Sequence, residues 1–266
     1  MILSNYHTHT LLCDGKNTAE EMIKAAIAAG CREIGFTGHA YTACGEDYCM
    51  SRDGQRRYRE ELLSLRERYK DKIKILVGIE MDYFSEPITE EYDYIIGSVH
   101  HIEKDGVFLD IDLSPEGMRD AIDRYFDGDG TAFAEAYYGL VAKVYEKTHC
   151  DIVGHFDLVT KFEECGVSVS SDSDRYRIAA SRALDALLAT PALFEINTGA
   201  MSRGYRKSSY PAPSLRQRIA ESGKPFVINS DAHSAENILF GIAEEAAACD
   251  GKGYPYITSL ADYLGK

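Results

Sequence analysis

The stretch Ile2-Leu3-Ser4-Asn5-Tyr6-His7-Thr8-His9 decides the architecture. It begins as a short strand and runs straight into two histidines one residue apart. An open, doubly wound α/β sheet usually carries a glycine-rich phosphate loop after its first strand. Here imidazoles stand in that place. A closed βα barrel accommodates them, because its chemistry sits at the C-terminal ends of its strands. Alternation along an extended chain also puts His7 and His9 on one side while Thr8 points away, so the pair can chelate.

Similar short apolar runs recur at residues 33–37, 73–79, 92–98, 151–154, 193–197 and 225–229, with a further short run at 256–258. Ile34-Gly35-Phe36, Ile75-Leu76-Val77 and Phe226-Val227-Ile228 are nearly continuous in apolar character, as parallel strands buried on both faces should be. Helical patterns separate these runs, over residues 55–70, 115–126, 131–148, 175–188, 214–222 and 236–249. Thr18-Ala19-Glu20-Glu21 reads as a capping box opening another helix, with Gly30 as its stop. Asp105-Gly106-Val107 reads as a hairpin turn. Strands separated mainly by helices, without linker or repeat, predict one parallel α/β domain over residues 1–266.

Composition narrows the function. At 266 residues the chain can bury a full core without disulfide or metal staples. Its 29 basic and 43 acidic residues give a net charge of −14, which disfavours nucleic acid and anionic membranes as partners. No run approaches the ~18–20 apolar residues that span a bilayer. The first seven residues lack a basic run followed by an apolar one, so no secretion signal is expected. Seven scattered cysteines, none in a CxxC pair, predict reduced thiols and a cytoplasmic protein.

Six of the eight histidines fall at or just beyond a predicted strand end: His7, His9, His39, His100, His155 and His233. Chance would place roughly one there if strand ends hold about a tenth of a barrel's residues. Glu80 and Asp231 join them, and Asp231-Ala232-His233 is expected to repeat the alternating geometry of His7-Thr8-His9. Such crowding of imidazoles and carboxylates is destabilising unless divalent metals share it, and these are their natural ligands. His149 lies at the opposite end of its strand and reads as a helix C-terminal residue. His101 should point away from its neighbour His100, although a loop could turn it towards a substrate. The acidic run at 120–129 lacks the spacing of a calcium loop and reads as a solvated face.

These residues resemble the polymerase and histidinol phosphatase (PHP) family of metal-dependent phosphoesterases. The likeness runs from His7-Thr8-His9-Thr10 through Thr37-Gly38-His39, Gly78-Ile79-Glu80, Ser98-Val99-His100-His101 and Gly154-His155 to Ser230-Asp231-Ala232-His233. It implies a distorted (β/α)7 TIM-like barrel with two or three divalent ions, zinc, manganese or iron, at the C-terminal ends of the strands. It further implies one ion on His7, His9, Glu80 and Asp231, with Glu80 bridging to a second on His100 and His155. A third would take His39, His233 and Asp14, which stands where many histidinol phosphatases have a histidine. Phe194-Glu195-Ile196-Asn197-Thr198-Gly199, with Arg203 and Tyr210-Pro211, is similar to the branch that hydrolyses L-histidinol phosphate.

On that resemblance the expected reaction is attack of a metal-activated hydroxide on a phosphate monoester. Asp231 or His233 would shuttle a proton, and Arg203 would clamp the phosphate with its planar fork. Arg206, Lys207 and Lys16 are weaker alternatives to Arg203, which also reads as an ordinary surface residue. Asn197 is a candidate orienting partner and His101 a candidate substrate contact. Another small phosphate ester, a nucleotide, or the amide chemistry of a metal-dependent amidohydrolase are the competing readings. Glu80, in place of a bridging lysine, speaks against the last.

Overall fold

The computed structural model describes residues 3–266, so residue 2 of the opening strand lies outside the described residues. The chain runs β1 (Ser4–Asn5), α1 (Ala19–Ala28), β2 (Glu33–Phe36), α2 (Arg52–Tyr69), β3 (Lys74–Val77), β4 (Ile79–Asp82) and β5 (Ile95–Ser98). A hairpin follows, β6 (His101–Lys104) and β7 (Val107–Asp110), then α3 (Pro115–Tyr125), α4 (Gly130–Val141), α5 (Val144–Thr148) and β8 (Ile152–Val153). Next come α6 (Asp174–Leu188), β9 (Leu193–Asn197), α7 (Gly199–Ser202), α8 (Pro213–Glu221) and β10 (Phe226–Asn229). Helices α9 (Ile242–Lys252) and α10 (Leu260–Leu264) end it. No helix among the described residues is long and apolar enough to cross a membrane.

Apart from the antiparallel hairpin, every strand pairing is parallel. One sheet is ordered β1-β2-β3 and the other β10-β9-β8-β5-β4. They join at Gly78, where one extended segment leaves β2 and takes up β5. The residues read as a single strand over 73–79 therefore divide between two sheets and continue to Asp82. At the other end, Thr8 bridges in parallel to Ala232, with His9 N–H donating to the Ala232 carbonyl at 2.9 Å. Ala232 N–H donates back to the His7 carbonyl at 3.1 Å. Seven parallel stations thus follow one another round a ring, the distorted barrel that the sequence led us to expect.

Tyr94 explains the break at Gly78. A Cβ on Gly78 would lie 2.6 Å from the Tyr94 ring, so only glycine lets the ring pack beneath the switch. The Tyr94 hydroxyl donates to the Tyr6 carbonyl at 2.5 Å, and Tyr58 donates to the Gly78 carbonyl at 3.0 Å. Outside the strands, the helices bury one stripe each. In α1 the stripe is Met22, Ile23 and Ala26, and both capping-box bonds between Thr18 and Glu21 form. Gly30, at φ +76°, lies just beyond its end. The predicted turn at 105–107 joins β6 and β7, two strands that sequence reading left unassigned. The helix read at 131–148 is two, α4 and α5, and the one read at 236–249 starts at Ile242, because Gly241 takes φ 71° after a short 3₁₀ turn.

Candidate metal centre

The strand ends bring the predicted ligands to one place. His7 and His9 extend past β1, His39 past β2, His100 past β5 and His155 past β8, while Asp231 and His233 follow β10. Glu80 lies inside β4 rather than closing its strand. Alternation holds for the first pair: both rings turn inward, and Thr8 instead donates to the Gly35 carbonyl at 2.8 Å. It does not hold for the last pair. Strand β10 stops at Asn229, and Asp231 adopts φ 49°, the left-handed region an aspartate tolerates better than most residues. That kink, not a strand, turns Asp231 and His233 towards the same centre. Gly199 leaves it room, since a Cβ there would come within 2.6 Å of Asp231 Oδ2.

Three groups of donors share this space. In the first, His7 Nε2 lies 3.1 Å from Glu80 Oε2 and 3.7 Å from Asp231 Oδ1. His9 Nε2 lies 3.6 Å and 3.2 Å from the same two oxygens. Donors held about 2.1 Å from one tetrahedral ion stand about 3.4 Å apart, so these edges fit a coordination shell. In the second, Glu80 Oε1 is 3.5 Å from His100 Nε2 and 3.1 Å from His155 Nε2. Glu80 therefore offers one oxygen to each group. In the third, Asp14 meets His9 Nδ1 at 3.4 Å, His39 Nε2 at 3.7 Å and His233 Nε2 at 3.0 Å. His7 Nε2, His9 Nε2 and Glu80 Oε2 are shut off from solvent and have no hydrogen-bond partner. Buried polar atoms are rarely left so. A divalent ion satisfies all three at once, and the residues fit one.

A second ring of contacts aims the ligands. His7 Nδ1 donates to Glu195 Oε2 at 2.9 Å, which leaves the Nε2 lone pair facing the centre. Glu195 also accepts from the His155 backbone at 2.7 Å, Asn197 at 2.8 Å and Asn229 at 2.8 Å. Asp82 does the same for His100, accepting from its backbone at 2.6 Å and its ring Nδ1 at 3.2 Å. Ser98 donates to Glu80 Oε1 at 2.6 Å. His233 Nδ1 lies 3.0 Å from both the Asp231 carbonyl and Arg203 Nη1, which fix the ring in place.

Electrostatics suit ligation. Burial disfavours charge on Glu80, but the imidazoles of His7, His39 and His100 outweigh it and hold the carboxyl well below its ordinary range. Burial likewise opposes charge on Asp231, and Arg203 and His7 overcome it. Burial, together with the charges of His233 and His39, pushes His9 down to about 3, so it stays neutral as a ligand must. Asp14 is kept ionised against burial by His39 and His233.

The centre opens into a cavity of about 200 Å³. Asp14, His39, Glu80, His100, His155, Asp231, His233 and Arg203 line it, with Tyr48, Asp112, Lys161 and Tyr205. Arg203 donates to Asp231 Oδ2 at 3.1 Å and to its carbonyl at 3.2 Å. Asn197 is fully buried behind the site, donating to Glu195 and accepting from Gly199 N–H at 2.8 Å. His101 is buried away from the cavity, stacked on Tyr48 and 3.0 Å from Asp110. Burial opposes its charge, yet Asp110 and Cys44 raise it to about 10. His149 caps α5 in a left-handed conformation, exposed and outside the centre. Sequence reading assigned no role to Glu195, Asp82 or Lys161. The Lys161 ammonium is held by the Asp112 carbonyl at 2.8 Å and its carboxylate at 3.1 Å.

Comparison with known proteins agrees with this geometry. The PHP domain profile matches residues 5–199, well over half of the chain. The chain is 29% identical to the histidinol-phosphatase of Bacillus subtilis, over 90% of this chain and 96% of that one. In fold it is similar to a Listeria monocytogenes protein assigned as a histidinol phosphatase, with a TM-score of 0.80 at 22% identity, covering 91% of this chain and 99% of that one. It is also similar to the histidinol phosphate phosphatase of Lactococcus lactis, solved with zinc, L-histidinol and phosphate. There the TM-score is 0.68 at 21% identity, over 96% of this chain and 95% of that one.

Proposed function

The chain belongs to the PHP domain family, and from that premise we propose that it is a metal-dependent phosphomonoesterase hydrolysing L-histidinol phosphate to L-histidinol and phosphate. The observation that carries the reading is Glu80, whose two oxygens face two separate sets of imidazoles while its Oε2 has no hydrogen-bond partner. The Lactococcus lactis protein, which binds zinc, L-histidinol and phosphate, supports the choice of ester. Two or three divalent ions, when bound, neutralise phosphate oxygens and lower the pKa of water towards neutrality.

The chain's own residues do the rest. His7, His9, Glu80 and Asp231 would hold one ion, Glu80 with His100 and His155 a second, and Asp14, His39 and His233 a third. Arg203, anchored on Asp231, presents its guanidinium to the cavity and clamps the phosphate. Asp231 and His233, which line the same cavity, relay the proton that the departing alcohol needs. Asn197 acts only through Glu195, and His101 braces Tyr48 in the cavity wall rather than touching substrate. In this reading the partner is a small phosphate ester, not nucleic acid or membrane, in a cytoplasmic setting where all seven cysteines stay free.

Steady-state assays across a panel of phosphate monoesters, with zinc, manganese or iron supplied, test the reading. L-Histidinol phosphate should exceed the others in kcat/KM by at least about 100-fold. A different ester turned over faster by orders of magnitude would replace it as the substrate.

A further inference from the structure

A second cavity lies beside the metal centre and is larger, about 570 Å³, within the range of small-molecule sites. It opens between α6, α8 and the segment after β8. Arg206 and Asp157 both contribute to its wall, and no hydrogen bond joins them, although the Arg206 charge partly offsets the burial that pushes the Asp157 carboxyl up. The Arg206 guanidinium stacks 4.4 Å above the Tyr210 ring, and its hydrogen bonds go to Ser208 and the Thr160 hydroxyl, none to a carboxylate. Asp157 is fully buried. Its Oδ2 accepts from Ala212 N–H at 2.9 Å, while Oδ1 has no partner. The other two arginines of the wall are engaged elsewhere: Arg177 with Asp174 at 2.8 Å and Arg218 with Asp185 at 2.5 Å. Opposite charges that share a cavity and do not meet call for something between them.

The two cavities have a common wall. Asp157, Thr160 and Arg206 face the second cavity, and their sequence neighbours Leu158, Lys161 and Tyr205 face the metal centre. We propose that the second cavity binds a small zwitterion, its anionic group on Arg206 and its ammonium on Asp157, and that occupancy is felt at the metal centre through this wall. A carboxylate and a phosphate both suit the arginine fork, so a free α-amino acid and an amino-phosphate share the required chemistry. A ligand gripping Thr160 and Arg206 restrains Lys161 and Tyr205, which line the metal-centre cavity. The proposal does not depend on which ester the metal centre hydrolyses.

Calorimetric titration of the metal-loaded enzyme tests it. The probes are the common L-amino acids and 2-aminoethylphosphonate, a hydrolysis-resistant stand-in for an amino-phosphate. At least one probe should bind at one site per chain with a Kd below about 10 mM. Arg206→Gln should weaken that binding at least about tenfold, by removal of a charge-assisted contact. Ser181→Trp, which fills the cavity from α6, should weaken it similarly while leaving metal content and kcat unchanged. Saturating probe should shift KM or kcat for the phosphate ester at least about twofold. Binding only by amino acids identifies a carboxylate ligand, and binding only by the phosphonate identifies a phosphate ligand. No binding below that limit, or binding unchanged in both variants, overturns the site. Saturation without any change in KM or kcat overturns the coupling.

Discussion

Glu195 governs the metal centre without reaching it. Its carboxylate fixes the His7 tautomer and gathers Asn197, Asn229 and the His155 backbone around one buried charge. Burial disfavours that charge, and the His7 imidazole restores it. Glu195→Gln keeps the shape and removes the charge, so metal affinity should fall about 10- to 100-fold. Competition with a chelator measures this, and an unchanged affinity would reduce Glu195 to packing. Its signal was present in the sequence: Glu195 is two residues before Asn197 on β9, as Asp82 is two after Glu80 on β4, and alternation puts such pairs on one face. Lys161 had no comparable signal. It reaches the cavity from a 3₁₀ turn six residues past His155, and no periodicity governs that path.

At the scale of elements, the decisive feature is the transfer of one extended segment between sheets at Gly78. The apolar run that marks β3 continues without a break into β4, so hydropathy cannot mark the place where pairing changes from β2 to β5. The Tyr94 ring marks it. Gly78→Ala forces a methyl against that ring and should destabilise the fold by about 1–3 kcal/mol. Urea denaturation of the metal-loaded protein provides the measurement, and a change below about 0.5 kcal/mol would mean that Tyr94 moves aside freely. The end of β10 teaches a similar lesson. Asp231-Ala232-His233 resembles His7-Thr8-His9 on paper, yet its side chains converge through a left-handed residue.

For the whole molecule, the centre joins charge balance to stability. Without metal, the buried carboxylates depend on protonated imidazoles nearby. Burial works against His7 and His39, but Glu195, Glu80 and Asp231 around the one, and Glu80 and Asp14 around the other, raise both well above the ordinary 6.5. A raised pKa gives stability that is full below the ordinary value and lost as pH rises through the shifted one. Bound divalent ions replace those protons and bind more tightly as pH rises. The melting temperature of chelator-stripped protein should therefore lie below that of the loaded form, with the gap widening from pH 6 to pH 9. A gap that narrows over that range would show that the imidazoles do not carry the compensation. The net charge of −14 counts none of these ions, so binding them would make the centre locally more positive than the chain's own charge implies.

Residue identity and local periodicity pointed to eight of the side chains that gather and to the end of the strands where they stand, and the family resemblance added Asp14. His7, His9, His39, Glu80, His100, His155, Asp231 and His233 all meet, and Asp14 joins them. Alternation and strand ends are local properties, legible in a few residues. Only the tertiary structure decided that His101 faces Asp110, that Glu195 orients His7, and that a second cavity shares the wall of the first. His101 meets Asp110 across the β6–β7 hairpin, whereas Glu195 reaches His7 only because the ring closes and brings Thr8 against Ala232 across more than two hundred residues. Contacts at that separation leave no periodic trace in the sequence.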